Sequence, residues 1–198
     1  MRPLFKRPGE NRRSIYSPVK RNLSQSFNLS LKTALLLKKN LKQETFIALK
    51  KTVKINIKNL QSKVAIPKSA ISKLAFIALA KERIRKRGEI TFCFVTDRKI
   101  KSLNTKYLKR RVPTDVIAFD ISNQQDKNNI FADIIISSER AVFNAGVFKT
   151  SVFYELCLYA VHGLLHILGY TDNTVKTKQL MQKKEKRILE CLSTMQKQ

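Results

Sequence analysis

The sequence predicts an α/β (α+β) fold, in which a small mixed four-stranded sheet is covered by helices and a helix that carries both histidines lies near the C-terminus. Strand-like segments come first, and helical segments are interleaved with them, which is typical of helices packed on a sheet. The last part of the chain is helical throughout. No G-x-G-x-x-G motif occurs, so the pattern does not favour a dinucleotide-binding Rossmann domain.

The chain divides by composition into two parts, residues 1–51 and residues 52–198. The first part holds 13 Lys and Arg, and its only acids are Glu10 and Glu44. We therefore predict a basic, partly disordered N-terminal extension, in which residues 31–51 have the composition of a basic helix. An RNA-binding arm, an organellar transit peptide and translation from too early a start codon are the alternatives for this extension.

Four segments are predicted to be strands. From Val53, apolar residues alternate with Lys and Asn, which is the period of a half-buried strand, and the folded domain is expected to begin there. Ile90–Val95 is the second strand. The β-branched runs Val116–Phe119 and Ile134–Ile136 are separated by a polar loop, which predicts an antiparallel pair.

Helices are predicted between and after these strands. The first follows Pro67, runs to about Arg87 and is expected to end at Gly88. The second is capped by Asp97 and ends near Lys109. Three more helices are predicted, from Ser137 or Ser138 to about Gly146, from Val152 to Leu168 with Gly169 as its stop, and from about Thr174 onward.

The chain is strongly basic, with 40 Lys and Arg against 14 Asp and Glu and a formal net charge of +26. Residues 52–198 alone hold 27 basic and 12 acidic residues, a net +15, so the extension does not account for the excess. A field of this size attracts polyanions such as RNA, DNA or an anionic membrane surface. The alternative is a lysine-rich genome whose lysines form solvated helix faces.

The cysteines predict neither disulfides nor a cysteine zinc site. Cys93, Cys157 and Cys191 are odd in number and widely spaced, without a C-x-x-C pair. A reducing compartment is expected, and we predict a cytoplasmic protein. No apolar stretch reaches the roughly 18 residues of a transmembrane helix, so no transmembrane helix is predicted. A membrane is not among the partners that we predict.

The only two histidines, His162 and His166, are one helical turn apart in the Val152–Leu168 helix. Both imidazoles would therefore lie on one face, close enough to bind one ion. Asp172, beyond the helix, is a candidate third ligand, and three ligands leave open positions, as in catalytic zinc sites. Gly163 replaces the glutamate of H-E-x-x-H metalloproteases, which disfavours that class. Alternatively, the two histidines are core residues hydrogen-bonded to backbone or water.

Three segments follow one another in the chain: LNTKYLKRRVPTDVIAF (Leu103–Phe119), ADIIISSE (Ala132–Glu139) and HGLLHILGYTD (His162–Asp172). Together they resemble the YbeY family of rRNA-maturation metalloendoribonucleases, and the resemblance extends over about Val53 to Leu192.

The resemblance implies one Zn²⁺ per chain and hydrolysis of single-stranded RNA. It also implies a role in rRNA maturation, at the 3′ end of the small-subunit rRNA, and in ribosome quality control, with ribosomal RNA and the small subunit as partners. His162 and His166 match the first two metal-binding histidines of the family. Asp172 stands where the family has the third, and its negative charge makes a bound ion less Lewis acidic.

The resemblance also suggests catalytic residues. Leu108 occupies the position of a family arginine proposed to act at the RNA phosphate, and we predict that Arg110 or Arg111 serves instead. Asp115, in the PTDV segment, is expected to orient a metal ligand or the substrate. Its alternative role is a cap or turn at the start of a strand.

Two other function classes compete with the endoribonuclease. Asp172, Leu108 and the net charge favour a catalytically weak or inactive basic RNA- or ribosome-binding assembly factor. A metallohydrolase acting on a small molecule or peptide is disfavoured by Gly163 and by the basic surface.

Overall fold

The computed structural model describes residues 43–123 and 125–192. Residues 1–42 of the predicted extension lie outside the described residues. Residues 43–52, which include the last residues of the extension, are helical. Leu49 of this helix is buried in the main core and Phe46 stacks edge-on against Phe76, with 5.4 Å between the ring centroids. The segment just before the first strand is therefore packed onto the folded domain.

Helices and strands alternate in the described part as far as the third strand, the fourth strand follows it directly, and the remaining elements are helices. In chain order the elements are α1 (43–52), β1 (Val53–Asn59), α2 (Lys68–Lys81), β2 (Arg87–Val95), α3 (Asp97–Leu108), β3 (Val116–Asp120), β4 (Asn129–Ser137), α4 (Ser138–Phe148), α5 (Val152–Ile167) and α6 (Val175–Leu189).

The four strands form one mixed sheet in the order β1-β2-β4-β3. β2 is parallel to both β1 and β4, whereas β3 pairs with β4 in the antiparallel direction. The predicted fold class, a small mixed four-stranded sheet covered by helices, is confirmed. The predicted antiparallel pairing of the third and fourth strands is confirmed as well.

The main core lies between one face of the sheet and a layer of helices in which α5 is central. α5 contacts β3 and β4 and also packs against α2, α4 and α6. Its middle is buried almost completely, as Leu156, Leu164 and Leu165 show. On the other face of the sheet, α3 covers a smaller core around Ile100 and Ile135. Within the residues that the structure describes, no helix is long and apolar enough to cross a membrane.

The predicted end of the first helix of the folded domain is wrong. α2 ends at Lys81, and Arg83 adopts a left-handed conformation with φ of 56°. Gly88 is not a helix stop but part of β2, with φ of 145°. A Cβ at Gly88 would lie 2.0 Å from the carbonyl oxygen of Ile130, so glycine is required there by the close approach of strand β4.

The remaining helix boundaries lie close to their predictions, with one correction. The cap of α3 is Thr96, whose hydroxyl accepts from the backbone N–H of Lys99 at 3.4 Å, and Asp97 is the first helical residue. Asp97 instead forms an ion pair with Arg140. The last helix starts close to its predicted position, and Thr174 caps it in a capping box with Thr177.

Candidate metal centre

The two histidines lie on one face of α5, as their spacing predicts. Ser151 caps the start of this helix, because its hydroxyl accepts from the backbone N–H of Tyr154 at 3.1 Å. One turn separates His162 from His166, and their Nε2 atoms are 3.0 Å apart. Both nitrogens therefore face the same point beside the helix.

Asp172 reaches this point from the loop after α5. Gly169 adopts φ of 92° and turns the chain, and the backbone N–H groups that follow the helix donate to its last carbonyl groups. The Asp172 Oδ2 atom is 3.9 Å from Nε2 of His162, and Oδ1 is 4.0 Å from Nε2 of His166. The candidate ligand atoms of the three residues all lie within 4.8 Å of one another.

Each histidine uses its other ring nitrogen in a hydrogen bond. Nδ1 of His162 lies 2.6 Å from Oε1 of Glu185, and Nδ1 of His166 lies 3.0 Å from the carbonyl oxygen of Tyr170. An ionised carboxylate and a carbonyl group only accept, so both Nδ1 atoms carry hydrogen. In the neutral imidazoles, the lone pairs are therefore on the two Nε2 atoms, as metal ligation requires.

This arrangement fits a metal ion. Two nitrogen lone pairs 3.0 Å apart repel each other unless a proton or a cation lies between them. In a tetrahedral site with metal–nitrogen bonds of 2.0–2.1 Å, two ligand nitrogens are about 3.3 Å apart. The two histidines thus already have nearly the required separation, and Asp172 needs to move by less than about 1 Å. His162, His166 and Asp172 can hold a metal ion.

Charges around His162 favour its protonated form when no cation is present. Burial opposes protonation, but the hydrogen bond to Glu185 and the charges of Glu185, Asp115 and Asp172 outweigh it. The pKa of His162 is therefore raised above its usual value. The same carboxylates would stabilise a divalent cation at the Nε2 atom.

Glu185 was not predicted from the sequence, although a signal for it exists. It lies on α6, 23 residues after His162, and its side chain is only 12% exposed. Met181 and Ile188 form the buried stripe of this lysine-rich helix. Glu185 is four residues after the first and three before the second, so it lies on the same face. An acid on the buried face of a basic helix indicates a specific partner.

Asp115 lies at the pocket beside the metal centre. Its Oδ1 atom accepts from the hydroxyl of Thr114 at 2.9 Å and from the backbone N–H of Val116 at 3.0 Å. These hydrogen bonds match the alternative role, a cap at the start of β3, and Asp115 lines the pocket as well. The pocket has a volume of about 140 Å³ and is lined by Asp115, Leu158, Tyr159, His162, Asp172, Lys178, Met181, Gln182 and Glu185.

The two predicted arginines are not part of that pocket. Arg110 and Arg111 are exposed in the segment between α3 and β3, and neither lines the cavity. The backbone of Arg110 is held near the end of α3, where its N–H donates to the carbonyl oxygen of Asn104 at 3.3 Å. Their catalytic role stays a prediction.

Gly163 has a packing role that the sequence did not reveal. A Cβ at this position would lie 2.5 Å from Cγ2 of Ile134 and 2.9 Å from Cγ2 of Val116. Any side chain would therefore collide with the sheet on which α5 rests. A glutamate following His162 would point into the core rather than the pocket, which gives a physical reason for the absence of an H-E-x-x-H motif.

Comparison with known proteins identifies one family. The family model described as endoribonuclease YbeY matches residues 56–193. The chain is 31% identical over 137 residues to the endoribonuclease YbeY of Carboxydothermus hydrogenoformans, covering 69% of this chain and 95% of the relative. It is 35% identical over 136 residues to that of Endomicrobium trichonymphae, covering 68% and 94%. With the solution structure of a Thermotoga maritima protein, the TM-score is 0.49 at 20% identity, covering 71% and 92%.

Proposed function

Because the chain belongs to the endoribonuclease YbeY family, we propose that it is a zinc-dependent endoribonuclease that cleaves single-stranded RNA. Membership places the chain among nucleases, which hydrolyse phosphodiester bonds. We further assign its substrate to the 3′ end of the small-subunit rRNA during maturation, with a role in ribosome quality control. The ribosomal small subunit is then its partner and the cytoplasm its location.

One observation carries the proposal, namely the convergence of His162, His166 and Asp172 on a single point, at the side of a pocket that His162 and Asp172 line. Imidazole and carboxylate ligands suit zinc among the divalent ions. Three protein ligands leave a position open for water or substrate, which distinguishes a catalytic from a structural site. The net charge of +26 supports a polyanionic substrate.

A divalent ion held by His162, His166 and Asp172 would supply Lewis acidity and would lower the pKa of a water molecule toward about 7. The side chains of this protein have separate tasks. Glu185 accepts from Nδ1 of His162 and fixes the orientation of that ring. Asp115, across the pocket, offers an acceptor that can orient water or a ribose hydroxyl. Lys178, exposed and lining the pocket, offers a cation to a phosphate oxygen.

Asp172 sets this site apart from one with three neutral ligands. A carboxylate lowers the net charge of the site, so the Lewis acidity of the ion is smaller than with a third imidazole. Turnover is therefore expected to be slower than that of relatives with three histidines. Binding of RNA, which depends on the basic surface, is expected to be unaffected.

The test is cleavage of single-stranded and double-stranded RNA by the purified chain, with and without a chelator. We expect cleavage of the single strand that is lost on chelation and restored by Zn²⁺. His166→Ala should lose both metal and activity, whereas Gln179→Ala, at an exposed position of α6 outside the pocket, should keep both. Full activity in metal-free His166→Ala would refute the mechanism.

A second experiment addresses the substrate and the competing function. We expect the purified protein to cleave a small-subunit rRNA precursor at its 3′ extension. Salt-sensitive RNA binding that chelation does not change, without cleavage, would instead identify a basic RNA-binding assembly factor. The observation that favours the RNA-binding assembly factor is Asp172, which stands where the family has a third histidine.

A further inference from the structure

A second polar cluster lies behind the metal centre, with Glu82 at its middle. This residue caps the C-terminus of α2. Its Oε2 atom accepts from the hydroxyl of Tyr170 at 2.5 Å and from Nζ of Lys184 at 2.7 Å, and its Oε1 atom accepts from Lys184 at 2.9 Å. Nζ of Lys184 also lies 4.9 Å from the centroid of the Tyr170 ring. The three side chains thus form a closed set of contacts.

The partners of Glu82 belong to the two segments that orient the histidines. Tyr170 accepts, through its carbonyl oxygen, the hydrogen bond from Nδ1 of His166. Lys184 is the immediate neighbour of Glu185, which accepts from Nδ1 of His162. One segment is the loop after α5 and the other is α6. Glu82 therefore fastens both segments to the end of a third element, α2.

We propose that Glu82 is a positioning residue for the metal centre, acting through Tyr170 and Lys184. It fixes the Tyr170 carbonyl group and helix α6 relative to α5, and so holds both imidazole rings with their Nε2 atoms facing one point. The inference rests on the proposed metal site and not on the nature of the substrate. Glu82, 80 residues before His162 in the chain, would thus support the metal ligands through one of their hydrogen-bond partners and through the neighbour of the other.

The burial of the cluster supports an energetic role. The side chains of Glu82 and Lys184 are 11% and 23% exposed, which is low for an ion pair on a helix surface. Burial by itself would raise the pKa of Glu82, but the hydrogen bonds from Lys184 and Tyr170 outweigh it and lower that pKa. An ionised, well-paired carboxylate in this setting resists movement of its partners, because separating them would leave a charge without compensation.

The test measures Zn²⁺ affinity by competition with a chromophoric chelator in Glu82→Gln, Tyr170→Phe and the double variant. Each single variant is expected to bind Zn²⁺ about 10-fold more weakly, the low end for outer hydrogen-bond partners of a metal site. The double variant should lose less than the product of the two losses, because both changes break one contact. Co²⁺-loaded Glu82→Gln should show an altered visible spectrum, which reports ligand geometry.

Glu89→Gln is the matched control, because Glu89 pairs with Lys54 and bonds Asn56 on strands remote from the centre. It should retain wild-type affinity. Unchanged Zn²⁺ affinity and Co²⁺ spectrum in Glu82→Gln, even with lowered stability, would overturn the inference and leave Glu82 a purely structural residue.

If Glu82→Gln does not fold, Tyr170→Phe decides, since it removes one hydroxyl group and leaves the Glu82–Lys184 ion pair intact. Wild-type affinity in that variant would overturn the inference. Wild-type protein that binds Zn²⁺ but leaves RNA uncut would refute the proposed function alone.

Discussion

Replacing Glu185 tests how much of the metal affinity comes from outside the ligands. Its Oε1 atom is 2.6 Å from Nδ1 of His162, and the two side chains are 12% and 21% exposed. Glu185→Gln keeps an oxygen that can accept from Nδ1 but removes the charge, whereas Glu185→Ala removes the acceptor as well. Loss of the charge makes the imidazole less basic and a poorer ligand.

The expected loss of Zn²⁺ affinity follows from this geometry. A short, charge-assisted and mostly buried hydrogen bond is stronger than a neutral one. Hydrogen-bond partners of metal ligands contribute about 10- to 100-fold to affinity, which corresponds to about 1.4 to 2.7 kcal/mol. We expect Glu185→Gln at the lower end of this range and Glu185→Ala at the upper end.

Zn²⁺ affinity, measured at fixed pH by competition with a chromophoric chelator, checks the prediction. Glu44→Gln, at an exposed position of α1, is the matched loss of charge and should change nothing. Urea unfolding of the metal-free variants separates lost affinity from lost folding. Wild-type affinity in both Glu185 variants would show that the contact does not tune the metal site and would refute the reasoning.

Four further predictions concern stability and metal content. Gly163→Ala should lower the free energy of unfolding by about 1–3 kcal/mol because its Cβ collides with Ile134. Gly146→Ala, where a Cβ meets nothing within 4 Å, should raise it by about 0.4–1 kcal/mol, and urea unfolding tests both. Asp172→Ala should lose most of its zinc by elemental analysis beside the wild type; equal zinc in both would exclude Asp172 as a ligand. Glu82 has a lowered pKa, so its stabilisation is present above about pH 4.5 and is lost as the pH falls through its folded value. Wild-type protein should therefore lose stability on acidification more steeply than Glu82→Gln, and parallel pH profiles would contradict this.

The local part of the metal centre could be predicted from the sequence. Spacing by four residues on a helix places two side chains on one face whatever surrounds the helix, so His162 and His166 were predictable. Gly169 marks the helix end and Asp172 follows within three residues, so its return to the same point needed only a tight turn. The alternation after Val53 likewise determined a half-buried strand, because strand periodicity is a local property.

Only the tertiary structure decided which distant groups support this centre. The partners Glu185 and Glu82 lie 23 and 88 residues from the residues they bond, His162 and Tyr170. Their placement depends on how α2 and α6 are rotated and packed against α5, which no pattern within one segment specifies. Gly88 was misread for the same reason, since its constraint comes from the backbone of a strand some forty residues later rather than from a helix end. Sequence patterns determine local geometry, whereas contacts between segments depend on the packing of the whole domain.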